Sequence, residues 1–123
     1  MIIKESAENY LEAILSLKKE KGNVRSIDVA NELSVSKPSV SVAMKNFREE
    51  GYITVDENGF LDLTEKGFEI ANAVYERHLV IARALIALGV SEETAYEDSC
   101  KIEHCISAES FEKLKEFLNK TGK

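Results

Sequence analysis

The stretch SKPSVSVAMKNFREEGYITVDENGFLDL, residues 36–63, carries two patterns in succession. Its first half opens with Ser36-Lys37-Pro38. Proline in a first helical turn has no N–H to leave unsatisfied, so this stretch predicts a helix start. Val40, Val42, Ala43 and Phe47 are expected to face inward, and Gly51 closes the segment. The second half changes period. Tyr52-Ile53-Thr54-Val55 and Phe60-Leu61-Asp62-Leu63 are short β-prone runs on either side of Asp56-Glu57-Asn58-Gly59. The Asn-Gly pair is expected to supply the positive φ angles of a tight hairpin.

Upstream, residues 6–20 place Ala7, Tyr10, Leu11, Ile14, Leu15 and Leu17 at helical spacing, with Glu8, Glu12 and Lys18 outside the stripe. Gly22-Asn23 interrupts this helix, and Ser26 is expected to cap a short one through Ile27, Val29, Ala30 and Leu33. Helix, short helix, turn, third helix and hairpin, in that order, predict a winged helix-turn-helix.

Downstream, Thr64 caps a long predicted helix running to about Leu88. Its apolar positions, Phe68, Ile70, Ala71, Val74, Leu79, Ile81, Ala82, Leu85 and Ile86, are too many for one narrow face. Gly89 stops it, Ser91 opens a further helix with Glu92 and Glu93 in its first turn, and Ser107 opens a last one through Phe111, Leu114, Phe117 and Leu118. The expected fold class is mainly α with a small β-hairpin. A winged helix-turn-helix over residues 1–66 precedes an all-helical domain over residues 67–123, whose surplus apolar surface predicts a symmetric homodimer.

At 123 residues, 44% hydrophobic and 31% charged, with no Trp and one Pro, the chain reads as a helix-rich globular protein. No apolar run approaches the roughly 20 residues needed to cross a bilayer, and the start, Met1-Ile2-Ile3-Lys4-Glu5, lacks the pattern of a secretion signal, so a cytoplasmic location without membrane association is expected. Cys100 and Cys105, five apart on one predicted helix, point to different sides and are poorly placed for a mutual disulfide, which fits a reducing compartment. The net charge of −6 weighs against nucleic-acid binding, because phosphate contacts need cations. Either the positive charge is local, as Lys37, Lys45 and Arg48 on the third helix suggest, or a bound cation changes the balance.

Two constellations carry chemistry. The exposed side of the third helix would present Ser36, Lys37, Pro38, Ser39, Ser41, Val42 and Lys45, whose hydroxyl, ammonium and apolar groups suit phosphates and base edges. The other is Cys100-Lys101-Ile102-Glu103-His104. On a helix the positions i, i+3 and i+4 share a face, so a thiolate, a carboxylate and an imidazole would converge there, a donor set suited to a transition metal. The competing reading is a buried Cys beside a surface Glu and His. His78, amid apolar neighbours, taken alone reads first as a core histidine, and Asn9 and Glu12, three apart on the first helix, as a solvated face.

Taken together, these residues resemble the family of the diphtheria-toxin repressor, which includes iron-dependent repressors and manganese transport regulators. The resemblance is carried by Glu8-Asn9-Tyr10-Leu11-Glu12-Ala13-Ile14, Ser36-Lys37-Pro38-Ser39-Val40-Ser41, Leu63-Thr64-Glu65-Lys66-Gly67, Arg77-His78 and Cys100-Lys101-Ile102-Glu103-His104, and spans nearly the whole chain. It implies a metal-dependent repressor that binds double-stranded palindromic operator DNA as a homodimer and controls metal-uptake genes. The implied metal ligands are Glu12, His78, Cys100, Glu103 and His104, to which the Asn9 side-chain oxygen could be added. Glu12 follows the manganese branch and Cys100 the iron branch, so the set is a hybrid. The thiolate favours Fe(II) over Mn(II), while Zn(II) or Co(II) would serve as in vitro surrogates. Ala82 stands where iron-type members place an accessory-site Glu, so no accessory site of that form is expected. A short form lacking the SH3-like domain of longer relatives is expected as well.

Two alternatives come from other classes. One is a metal-independent winged-helix regulator sensing a small organic ligand. The other, an enzyme, is not expected, because no nucleophile elbow, phosphate loop or second acid–base pair accompanies Glu103.

Overall fold

The computed structural model describes residues 5–120, so Met1–Lys4, read above for a targeting signal, lie outside it. Six helices and one hairpin follow in the order α1 (Glu5–Lys21), α2 (Ser26–Leu33), α3 (Lys37–Glu49), β1 (Ile53–Val55), β2 (Leu61–Leu63), α4 (Glu65–Ala87), α5 (Glu92–Ile102) and α6 (Ala108–Lys120). The fold class is mainly α with a two-stranded antiparallel sheet, as expected. The chain divides into two compact units, residues 1–72 and 73–123. The division falls inside the unbroken helix α4, whereas the boundary expected from sequence, after residue 66, lies near that helix's start.

In the first unit, Leu11 and Ile14 of α1, Val29 of α2, Val40 of α3, Ile53 and Leu61 are almost wholly buried. Apolar area removed from water supplies the main stabilisation here, about 25 cal/mol per Å². Phe47 stands edge-on to both Tyr10 and Tyr52, with ring centroids 5.9 and 6.2 Å apart. The strands pair Ile53 with Leu63 and Val55 with Leu61, and Val24 adds a single bridge to Leu61.

Three local expectations are corrected. Arg25, not Ser26, is the N-cap of α2, because the Asp28 carboxylate reaches back to accept the Arg25 N–H at 2.9 Å. Val42 points outward at 61% exposure, and Met44 takes the inward position instead, since one helical face cannot hold Val40, Val42 and Phe47 together. The wing does not turn on a two-residue Asn-Gly corner. Gly59 alone has positive φ in that turn, and the Asp56 side chain accepts from the N–H groups of Asn58 and Phe60, making a five-residue loop between the strands.

Two N-caps agree with the sequence reading, Ser91 accepting from the N–H of Thr94 and Ser107 from that of Ser110, and Ser36 caps α3 by accepting from the N–H of Ser39. Thr64 does the same for Gly67 at 3.1 Å, and its hydroxyl donates to the Gly51 carbonyl at 2.6 Å. At Gly67 a Cβ would lie 2.0 Å from the Tyr52 carbonyl oxygen, which already accepts the Thr64 N–H. Both groups are backbone and cannot swing aside. Gly67→Ala is therefore expected to destabilise the chain by about 3 kcal/mol, the upper part of the range for overpacking. A urea midpoint unchanged from wild type would show that this junction yields.

In the second unit, Val80 and Ala84 of α4 pack with Phe111 and Leu118 of α6, joined by Ile106 and Leu114. Ile86, Leu88 and Phe117 remain exposed.

Candidate metal centre and nucleic-acid interface

His78 lies in the middle of α4, while Cys100 is in the last turn of α5, whose end is at Ile102. Glu103 is the C-cap of α5 and keeps helical angles, so it holds its place three residues from Cys100 on the same face. Ligand atoms of His78, Cys100 and Glu103 all lie within 4.8 Å of one another. His78 Nδ1 is 3.0 Å from Glu103 Oε2 and 3.8 Å from Cys100 Sγ. The Tyr96 ring stands 5.6 Å from the imidazole, centroid to centroid.

Burial is uneven across the three donors. Glu103 is 1% exposed, whereas Cys100 is exposed and not in a disulfide. The Cys100 sulfur, and after it the Glu103 carboxylate, hold a proton on His78 and raise its pKa from 6.5 to about 10, against a smaller opposing effect of burial.

His104 Nε2 approaches the other Glu103 oxygen, Oε1, at 3.4 Å, and His104 is not in the three-donor group. It stands in the turn beyond α5, where the i+4 spacing assumed for a continuous helix no longer applies, and Cys105 lies in the same turn. Asn9 and Glu12 are half-buried on α1 in the first unit, and Ala82 is fully buried.

The donor set fits a divalent transition metal. Sulfur, imidazole nitrogen and carboxylate oxygen together suit a borderline cation. Glu103 Oε1 is buried, has no hydrogen-bond partner among the described residues and faces the His104 ring nitrogen at 3.4 Å, so a cation would be a favourable neighbour for it. Sequence reasoning missed one participant. Ser99 is fully buried and its hydroxyl contacts His78, but a serine between Asp98 and Cys100 carries no signal of its own.

On α3, Ser36, Lys37, Pro38, Ser39, Ser41, Val42 and Lys45 are all exposed. Ser41, Lys45 and Arg48 of α3, with Ser26 of α2 and Val55 of β1, line one surface cavity, so hydroxyls and cations gather there despite the acidic whole. Arg48 and Ser26 were not among the sequence-derived contact residues.

A helix-turn-helix with a wing, followed by a helical half bearing a three-donor cluster, defines a winged-helix transcription regulator with an appended metal-binding domain. Residues 3–60 match the N-terminal DNA-binding domain of the iron-dependent repressors, and residues 64–123 match their metal-binding and dimerisation domain. The chain belongs to the iron-dependent repressor family, whose members are metal-dependent, DNA-binding transcription repressors. It is 35% identical over 118 residues to an HTH-type transcriptional regulator of Methanocaldococcus jannaschii, covering 94% of each chain. It is 34% identical to the transcriptional regulator MntR of Escherichia coli, covering 97% of this chain and 77% of that one. Among solved structures, the crystal structure of T. acidophilum IdeR superposes with a TM-score of 0.81 at 25% identity. That match covers all of this chain but 56% of the other, so the chain spans little more than half the length of that relative. Among the described residues no helix is long and apolar enough to cross a membrane.

Proposed function

We propose that this chain represses transcription when it binds Fe(II), with Mn(II) as a weaker activator, and that it holds a palindromic operator as a homodimer to control metal-uptake genes. The observation that carries the reading is the meeting of His78, Cys100 and Glu103, whose ligand atoms all lie within 4.8 Å of one another. In this proposal those three residues hold the metal. The family resemblance adds His104, Glu12 and the Asn9 side-chain oxygen. Residues 1–66 serve as the reader and residues 67–123 as the metal-binding and dimerisation domain.

The metal supplies positive charge and a fixed coordination geometry. Charge lowers the repulsion between an acidic protein and phosphate. Geometry selects the dimer in which two readers face half-sites a whole number of DNA turns apart, ~34 Å per turn. At one hundred times its dissociation constant, a metal that binds only that state contributes about 2.7 kcal/mol per site. The exposed Ser36, Lys37, Pro38, Ser39, Ser41, Val42 and Lys45 contact the operator. Exposed Ile86, Leu88 and Phe117 in the helical half supply apolar surface for the homodimer.

The test is anaerobic fluorescence anisotropy with chelator-stripped protein and a palindromic duplex, titrated with Fe(II) or Mn(II). Binding that requires metal, and needs less Fe(II) than Mn(II), is the expected result. Equal binding without metal would favour the regulator of a small organic ligand. In the same assay Cys100→Glu is expected to move the preference toward Mn(II), because a hard carboxylate replaces a soft thiolate. An unchanged ranking of the two metals would show that Cys100 does not set selectivity.

A further inference from the structure

We propose that Ser99 is a positioning residue of the metal centre, its buried hydroxyl tying α5 to α4 and orienting the His78 ring toward Cys100 and Glu103. The inference rests on the metal-site reading above. Ser99 is fully buried, and its Oγ donates to the main-chain carbonyl of His78 at 2.5 Å. The same oxygen lies 3.1 Å from His78 Nδ1. A serine has one hydroxyl proton, so once that proton is given to the carbonyl the oxygen can only accept at Nδ1. Two contacts from one side chain, to the backbone and to the ring of the same histidine, fix both the position of the residue and the angle of its imidazole.

The placement in sequence extends this effect to the other donors. Ser99 directly precedes Cys100, and Glu103 is four residues on, one helical turn along the same face. A shift of α5 at Ser99 therefore moves the thiol and the carboxylate together, away from His78. Nδ1 is also the nitrogen that faces Cys100 and Glu103, so an ion taken there would displace the ring contact, while the bond to the His78 carbonyl persists and holds the histidine and α5 in register before the ion arrives.

The experiment is a Co(II) titration of the full chain, wild type beside Ser99→Ala and Ser99→Thr, followed by thiolate-to-metal absorption and by NMR of the His78 ring in metal-free protein. Ser99→Ala should bind Co(II) roughly 10–100-fold more weakly and shift the His78 ring signals of the metal-free protein, while keeping its helical circular dichroism. Ser99→Thr, which keeps the hydroxyl, should retain the wild-type signal and affinity. Wild-type affinity in Ser99→Ala, or an Ala-like loss in Ser99→Thr, would overturn the role of Ser99 and leave the metal centre standing. Absence of thiolate-to-metal absorption in the wild-type protein would instead overturn the metal-site reading itself.

Discussion

Between pH 6 and pH 9 the affinity of the chain for Co(II) or Mn(II) should rise by about a thousandfold from the His78 proton alone. A metal ligand must present a lone pair, so binding to a protonated imidazole releases a proton, and each pH unit below the pKa costs about tenfold. The pKa of His78 is raised to about 10 by the neighbouring Cys100 sulfur and Glu103 carboxylate, which places this whole interval below it. The sign for folding is the opposite. A raised pKa stabilises the metal-free protein fully below the unfolded value of 6.5, and that contribution is lost as pH climbs through about 10. Metal-free melting temperature should thus fall over the interval in which metal affinity grows. Isothermal titration at three pH values, with melts of the stripped protein alongside, checks both. An affinity flat from pH 7 to pH 9 would show that His78 carries no proton for the metal to displace.

Glu103→Gln should weaken metal binding by more than the roughly 10–100-fold that loss of an outer-shell partner costs, since it removes a charged donor from the centre. The amide keeps the shape of the side chain, which is 1% exposed, and relieves the chain of a buried carboxylate, so the metal-free fold should persist. The variant also removes one of the two groups that hold the proton on His78. Proton competition then weakens, and the deficit relative to wild type should be smaller at pH 6 than at pH 9. A Co(II) titration reads both the loss and its pH trend, and affinity within threefold of wild type would remove Glu103 from the ligand set.

Legibility in the sequence followed the distance over which each signal acts. The order of helices and hairpin was readable because hydrophobic period and helix caps act within a few residues. Thr64 meets Gly67 and Ser91 meets Thr94 across three positions, and such pairs close whatever the rest of the chain does. Where a local rule had competitors it failed. Asp28, three residues beyond Arg25, moved the α2 cap by one position, and the Asp56 carboxylate imposed a longer wing turn than Asn-Gly suggests.

The candidate site divides along the same line. That Cys100 and Glu103 share a face follows from helical geometry, so the residue types and their spacing, with the family membership they imply, were determined by the sequence itself. That His78 meets them depends on α4 packing against α5, which brings groups 22 and 25 residues apart within contact. Only the tertiary structure decided that Glu103 is buried with one oxygen lacking a hydrogen-bond partner among the described residues, that His104 stands in the turn beyond the helix, and that Ser99 stands behind His78. The physical reason is one of range. Periodicity and capping are properties of a single element, whereas burial and the partner of a buried polar atom are set by whichever other element packs upon it.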